Sequence, residues 1–402
     1  MISRGQEVGI KTDRFQVQLW TGEMGRRRFM RQSLQCATSV SPGQRIKVES
    51  GNLLSEANSS MSQNRRHFLQ TLSAAGASAS FGNLRSSTAQ GVGSSRSRRY
   101  QFVQIDVFTL KRLEGNPLSV FLDARGLSDK EMQDLARETN LQETTFVFPR
   151  DQKIEQEGGV KVRIFAPEEE ILFGGHPTLG TAMVLHNLRL ADGKGAKSAG
   201  DNRNEIVLDL KVGKVPVDFR EDGSGNVFGE MHQVEPVFGP LHDRETVAGL
   251  LDLKSSDIAE DWPIQTVSTG LPFAIVPLKH LDALQSLRPD QRKMDDYLDR
   301  QEPKCGFYYI TRETKDPDVG LRSRSIYTNG EDPATGSAAG CTAAWMVLNG
   351  IAKPEETVHI LQGVEIKRPS HIYVRAGKQG EKIGKVRVGG HAVEVMRGMA
   401  FL

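Results

Sequence analysis

The chain has 402 residues, 52 Lys and Arg against 50 Asp and Glu, and a formal net charge of +2. With 38% hydrophobic and 25% charged residues it reads as globular with room for two domains. No run of about 18 apolar residues marks a membrane-spanning helix, so no stable membrane insertion is expected.

Cys36, Cys305 and Cys341 are too few for a disulfide framework. With no CxxC or HExxH pair and scattered histidines, no metal site is expected. The balanced charge conceals a split. Residues 1–99 hold 15 basic and 5 acidic side chains, which leaves 37 basic against 45 acidic in residues 100–402. A leader of +10 is therefore joined to a body of −8. An acidic body gives no footprint for nucleic acid.

Within the leader, residues 1–60 show no sustained period of 2 or 3.6. Their one basic cluster, Arg26-Arg27-Arg28-Phe29-Met30-Arg31, is short, and the segment is expected to be unstructured or to precede the natural start. From Met61 the pattern sharpens into Arg65-Arg66-His67-Phe68-Leu69, an Ala/Gly/Ser segment, and small residues at Ser87-Thr88-Ala89. Residues 61–89 resemble a twin-arginine export signal, which implies a periplasmic or exported protein if functional and a cytoplasmic one if not. Residues 83–99 read as a Ser/Gly/Arg connector.

Order is expected from Tyr100. Residues 100–108 alternate as a half-buried strand, Gly115-Asn116-Pro117 turns the chain, and 118–122 is a second strand. Ser128 and Glu131 form a capping box for a helix at 129–139 that buries Met132, Leu135 and Ala136. Strands follow at 144–148 and 160–165. The helix at 177–190, entered through Pro177, is small or apolar all round and so calls for burial on every side. Strands at 206–210 and 212–219 lead to a turn-rich stretch at 221–226, taken as the domain boundary.

The second half repeats the mix. Helices are expected near 243–252, 255–260 and 288–299, and strands near 264–268, 273–277, 307–311 and 321–328. Then a second small-residue helix starts after Asp332-Pro333-Ala334-Thr335-Gly336-Ser337. Strands at 371–375, 384–389 and 391–398 close the chain. Gly-His-Pro-Thr-Leu-Gly-Thr-Ala and Asp-Pro-Ala-Thr-Gly-Ser-Ala-Ala, read side by side, suggest an internal duplication. The expected division is 100–226 plus 391–402 as one domain and 227–390 as the other.

A helix N-terminus gathers unpaired N–H groups and about half a positive charge. Two of them facing one another would seat a small anionic carboxylate between the domains. Glu143 at a strand start, His176 and Asp332 at the two helix mouths, and Ser337 one turn further in are the candidate proton-transfer residues. A carboxylic acid, an imidazole and a second carboxylate can take a proton from one carbon and return it to another, with no metal or cofactor. Read singly, each has an ordinary structural role: solvated acid, turn residue, N-cap and small helix residue.

Together, Gln104-Ile105-Asp106-Val107-Phe108, Gly115-Asn116-Pro117, Glu143-Thr144-Thr145-Phe146, Phe173 to Ala182, Glu331 to Ala338, Gln362-Gly363 and Arg368-Pro369-Ser370 resemble the PhzF-like phenazine biosynthesis family. The resemblance runs from about Tyr100 to the C-terminus. It implies an α+β, diaminopimelate epimerase-like fold, with two similar domains, each a β-barrel-like sheet around a central helix, and a homodimer. It also implies an isomerase that shifts a proton on a dihydro-hydroxyanthranilate-like substrate. Glu143 would be the general acid/base, His176 and Asp332 would orient the substrate, and Ser337 would hydrogen-bond it. Gly175, Pro177, Thr178, Thr335 and Gly336 would complete the binding loops. Related racemases use paired thiols, but Gly174 and Thr335 stand nearest those positions here, and Cys341 falls inside the helix. The alternatives are a ligand-binding protein of this fold without turnover, and an amino-acid or sugar-acid racemase. One departure is Lys367, where many family members have Gly before Arg-Pro-Ser.

Overall fold

The computed structural model describes residues 97–191, 204–327 and 330–402. The twin-arginine-like segment and the rest of the leader to residue 96 lie outside the described residues. The first half runs β1 (Arg99–Val107), β2 (Asn116–Phe121), α1 (Asp129–Thr139), β3 (Thr144–Phe148), α2 (Gln152–Gly158), β4 (Val160–Phe165), β5 (Glu170–Ile171), α3 (Gly175–Ala191), β6 (Glu205–Leu210), β7 (Gly213–Glu221) and β8 (Val227–His232). The second runs β9 (Val237–His242), α4 (Arg244–Leu250), β10 (Ile264–Ser268), β11 (Pro272–Leu278), α5 (Leu281–Ser286), α6 (Gln291–Leu298), β12 (Gly306–Thr311), β13 (Leu321–Tyr327), β14 (Gly330–Asp332) and α7 (Gly336–Leu348). It closes with β15 (Val358–Gln362), β16 (Ser370–Gln379), β17 (Lys382–Gly390) and β18 (Ala392–Phe401).

The strand pairing is duplicated. In the first half β1 is antiparallel to β2, β2 parallel to β3, β3 antiparallel to β4, β4 parallel to β6, and β6, β7 and β8 run antiparallel. The second half repeats this strand for strand with β10, β11, β12, β13, β15, β16 and β17. The outer partners match as well, β18 on β1 and β9 on β10. A short strand precedes each central helix, β5 on β4 and β14 on β13. A β8–β17 pairing joins the two halves into one sheet network.

We propose the domain division on this pairing, β1–β8 with β18 against β9–β17. It moves the change of domain past the 221–226 turn, because that turn closes the β7–β8 hairpin. Asp222 accepts from the backbone N–H of Ser224 and Asn226 there and lies below the usual carboxylate range as a result.

Each repeat wraps its sheet around one helix. In α3 every residue from Gly175 to Val184 is buried, and in α7 every residue but Leu348. Gly, Ala, Ser and Thr at these positions let strands approach from all sides, and this is why neither helix has a polar face. The shorter helices sit outside and are half-exposed. α1 shows the reciprocal Ser128–Glu131 capping box and buries Met132, Leu135 and Ala136.

The structure also holds elements the periodicity did not mark. β8 is buried on both faces, so no alternation betrays it. β9 carries Gly239-Pro240, which reads as a turn, yet it is an outer strand where a missing N–H is tolerated. β15, α2 and α5 are short. The helix expected at 255–260 is a single 3₁₀ turn, Ser255–Asp257.

Candidate active site

The two central helices meet end to end. A Cβ added to Gly175 would lie 2.5 Å from the backbone nitrogen of Ser337 and 2.6 Å from the carbonyl carbon of Gly336. Only a glycine permits this approach. The first turns of α3 and α7 therefore open side by side on the same space, with N–H groups that have no acceptor within their own helices. That space is a cleft of about 610 Å³ lined by residues of both repeats.

Of the nine residues expected from sequence, seven line the cleft: Glu143, Gly175, His176, Asp332, Thr335, Gly336 and Ser337. Pro177 and Thr178 do not. Both are buried in the first turn of α3. The Thr178 hydroxyl donates to the Gly174 carbonyl at 2.6 Å, and the Pro177 ring lies where a Gly174 side chain would be.

Glu143 is delivered by the α1–β3 junction. Asn140 takes a left-handed conformation, φ 50°, that ends α1. The Thr145 hydroxyl on β3 then bonds that of Thr181 on α3 at 2.8 Å, pinning the strand to the central helix. The Glu143 side chain is 20% exposed, yet its Oε2 is sealed from solvent and has no hydrogen-bond partner. Burial, followed by the nearby Asp332 carboxylate, pushes its pKa up to about 8. The His176 Nε2 stands 3.5 Å from that Oε2 and is also without a hydrogen bond. Burial drives the imidazole down to about 3, against the pull of the Pro117 carbonyl. Around neutrality the two groups are thus mostly a protonated acid and a neutral imidazole, and their contact is not an ion pair.

Asp332 is held differently. Its Oδ1 accepts from Asn116 Nδ2 at 2.7 Å and from the Ala334 N–H at 3.3 Å, and its Oδ2 accepts from the Thr335 hydroxyl at 2.7 Å. Burial still raises its pKa, with these donors opposing the rise. Glu143 is thus the uncompensated carboxyl and Asp332 the tied one.

Sequence reasoning missed three residues as site components. Asn116, fully buried, binds Asp332 and the Ala334 carbonyl across the two repeats. The sequence marks it as part of a turn and of a family motif, without a role at the site. Gln362, also fully buried, donates to the Asp332 carbonyl and the Thr335 hydroxyl and accepts from the Thr335 N–H and the Tyr308 hydroxyl. Tyr327 receives Gln142 Nε2 at 2.9 Å across the cleft. The sequence signal for the first two is their place in the Gly115-Asn116-Pro117 and Gln362-Gly363 motifs.

The motifs that lie far apart in sequence also meet. Arg368 binds buried Asp106 at 2.7 Å and donates to the carbonyls of Glu114 and Gly115, while the Gly115 N–H donates to the Pro369 carbonyl. This brace fixes the turn that carries Asn116. Lys367, at the departure from the family pattern, has φ 62°. The turn is kept, in a left-handed conformation that glycine adopts more readily.

Cys341 lies within α7, its thiol pushed up by burial to about 11, and away from the cleft lining. Among the described residues no cluster of three or more His, Cys, Asp or Glu side chains has the arrangement of a metal site. None of their helices is long and apolar enough to cross a membrane.

Comparison with known proteins follows the same outline. Residues 105–398 match the sequence profile of the PhzC-PhzF family, described as phenazine biosynthesis-like protein. The chain is 33% identical to a trans-2,3-dihydro-3-hydroxyanthranilate isomerase of Pseudomonas aeruginosa over 75% of its own length and 100% of that protein's. It is 34% identical to an uncharacterised isomerase of Mesorhizobium japonicum, covering 75% of this chain and 98% of the other. A PhzF-family protein of Bacillus anthracis superposes with a TM-score of 0.66 at 27% identity, covering 76% of this chain and 100% of that one.

Proposed function

The chain belongs to the phenazine biosynthesis-like protein family, and from that membership we propose that it is an isomerase moving one proton within a small carboxylate substrate by acid/base chemistry at Glu143. The observation that carries the proposal is a carboxyl group with a pKa near 8, without a hydrogen-bond partner, beside two converging helix N-termini. A substrate whose reacting ring resembles trans-2,3-dihydro-3-hydroxyanthranilate fits this chemistry, since the 33%-identical relative bears that compound's name.

The substrate carboxylate faces the first-turn N–H groups of α3 and α7, around Gly175, Gly336 and Ser337. The ionised fraction of Glu143 breaks a C–H bond and becomes protonated. The same carboxyl exchanges that proton with solvent and delivers one to another carbon of the same molecule, so acid and base are one group and nothing else is consumed. His176 stays neutral and offers a hydrogen bond without a competing charge. Asp332, tied by Asn116 and Thr335, keeps Glu143 basic by repulsion. No cofactor takes part in these steps.

The test is turnover of trans-2,3-dihydro-3-hydroxyanthranilate in heavy water. The proposal expects deuterium at the carbon that gains the proton, with transfer abolished in Glu143→Gln. Full turnover by Glu143→Gln would overturn it. A racemase is disfavoured because neither helix mouth carries a thiol, Gly174 and Thr335 standing there instead.

A further inference from the structure

The cleft is larger and more apolar than a one-ring acid needs. At about 610 Å³ it lies well inside the range of roughly 300–1,000 Å³ that pockets for drug-sized ligands occupy. Beside the helix ends and Glu143, the lining includes Leu141, Ala166 and Pro167 of the first repeat and six larger apolar residues, Leu271, Phe273, Met294, Leu298, Phe307 and Ile326. All six come from the second repeat.

The wall marks a place where the duplication is broken. One helix, α1, links β2 to β3, whereas two, α5 and α6, link β11 to β12. Met294 and Leu298 of α6 face the cleft. Leu271, Phe273, Leu298 and Ile326 remain only partly buried although apolar, which leaves surface for a ligand to cover.

Charge narrows the choice. Among the described residues no Lys or Arg lines the cleft, while Glu143, Glu168 and Asp332 do. One carboxylate is served by the helix N-termini. A second anionic group, carried out onto the wall, would meet carboxyl groups and no cation.

We propose that the substrate is a monocarboxylate with an apolar body extending beyond one ring onto the Leu298–Ile326 wall, and that dicarboxylates and phosphorylated acids are rejected. The proposal rests on the carboxylate seat assigned above and adds the chemistry of the remainder of the substrate.

Calorimetry on the full chain with three probes tests it: benzoate, biphenyl-3-carboxylate and biphenyl-3,4′-dicarboxylate. Burying the second ring should tighten binding about ten-fold or more over benzoate. The second carboxylate should cancel that gain. Leu298→Lys should abolish the advantage of the biphenyl acid, improve the dicarboxylate and leave benzoate within about two-fold. Benzoate binding with no gain from the second ring overturns the wall and leaves the carboxylate seat standing. A dicarboxylate as tight as the biphenyl acid in the unsubstituted protein overturns the charge argument. No binding by any of the three overturns both the wall and the seat. The comparison of the three probes needs no variant, so a misfolded Leu298→Lys would not obscure it.

Discussion

The two repeats share every strand pairing but divide the chemistry between them. The first supplies Glu143 and His176, which are buried and lack hydrogen-bond partners at the atoms that face each other. The second supplies Asp332 and Thr335, within a network closed by Asn116 and Gln362, and Ser337 at the mouth of α7. A duplicated frame can thus keep two matching anion seats at its helix ends while only one half carries the mobile proton. In the proposed mechanism the unsatisfied side is the reactive one, because an unpartnered buried carboxyl is expensive to ionise and so holds its proton near neutral pH.

The comparison breaks most directly at Glu143. Glu143→Gln should lower turnover by about 10²–10⁴-fold with substrate affinity largely kept, as steady-state kinetics with a binding assay would show. Next in size, the helix junction is asymmetric. A Cβ at Gly175 meets backbone at 2.5 Å, whereas one at Gly336 meets nothing nearer than 3.2 Å. Gly175→Ala should cost about 3 kcal/mol and Gly336→Ala about 1 kcal/mol, measured by denaturant unfolding. Equal costs would mean that the two helix ends do not touch as described.

Stability against pH separates the paired groups by sign. Glu143 rises from 4.5 to about 8 on folding, so the unfolded chain releases that proton first and stability falls as pH rises from about 4.5 to 8. Relative to Glu143→Gln, the protein should lose on the order of 3 kcal/mol between pH 5 and pH 8. His176 falls from 6.5 to about 3, so the unfolded chain binds that proton first and stability falls as pH drops from about 6.5 to 3. His176→Gln should remove this acid-side loss. The smallest effect is expected at Lys367, whose φ of 62° glycine adopts without strain. Lys367→Gly should stabilise by about 0.5 kcal/mol, read as a small rise in melting temperature.

Much of this was legible in the sequence, and the reasons are local. The capping box at Ser128 and Glu131 placed α1 to the residue, and the strands expected at 144–148, 160–165 and 264–268 have those bounds. The two small-residue helices announced their own burial. Elements held by long-range pairing were not legible. β8 is buried on both faces beside β7 and β17, and Glu230 within it is paired with Arg375, so its pattern shows no period. At the site, residues at the mouths of the helices could be named, because a helix entrance is visible in sequence. Pro177 and Thr178 are buried in the first turn of α3 and off the cleft lining, which adjacency to His176 in sequence does not show. Asn116 and Gln362 act through Asp332 from 216 and 30 residues away, and no local pattern connects them.

The central claim is that Glu143 holds its proton near neutral pH because it is buried opposite Asp332. Carbon-13 NMR of a chain labelled at the glutamate carboxyl carbons, assigned with Glu143→Gln, measures this without a substrate. The account predicts a Glu143 titration near pH 8 that moves downward in Asp332→Asn. A titration near 4.5, unchanged by Asp332→Asn, would contradict it.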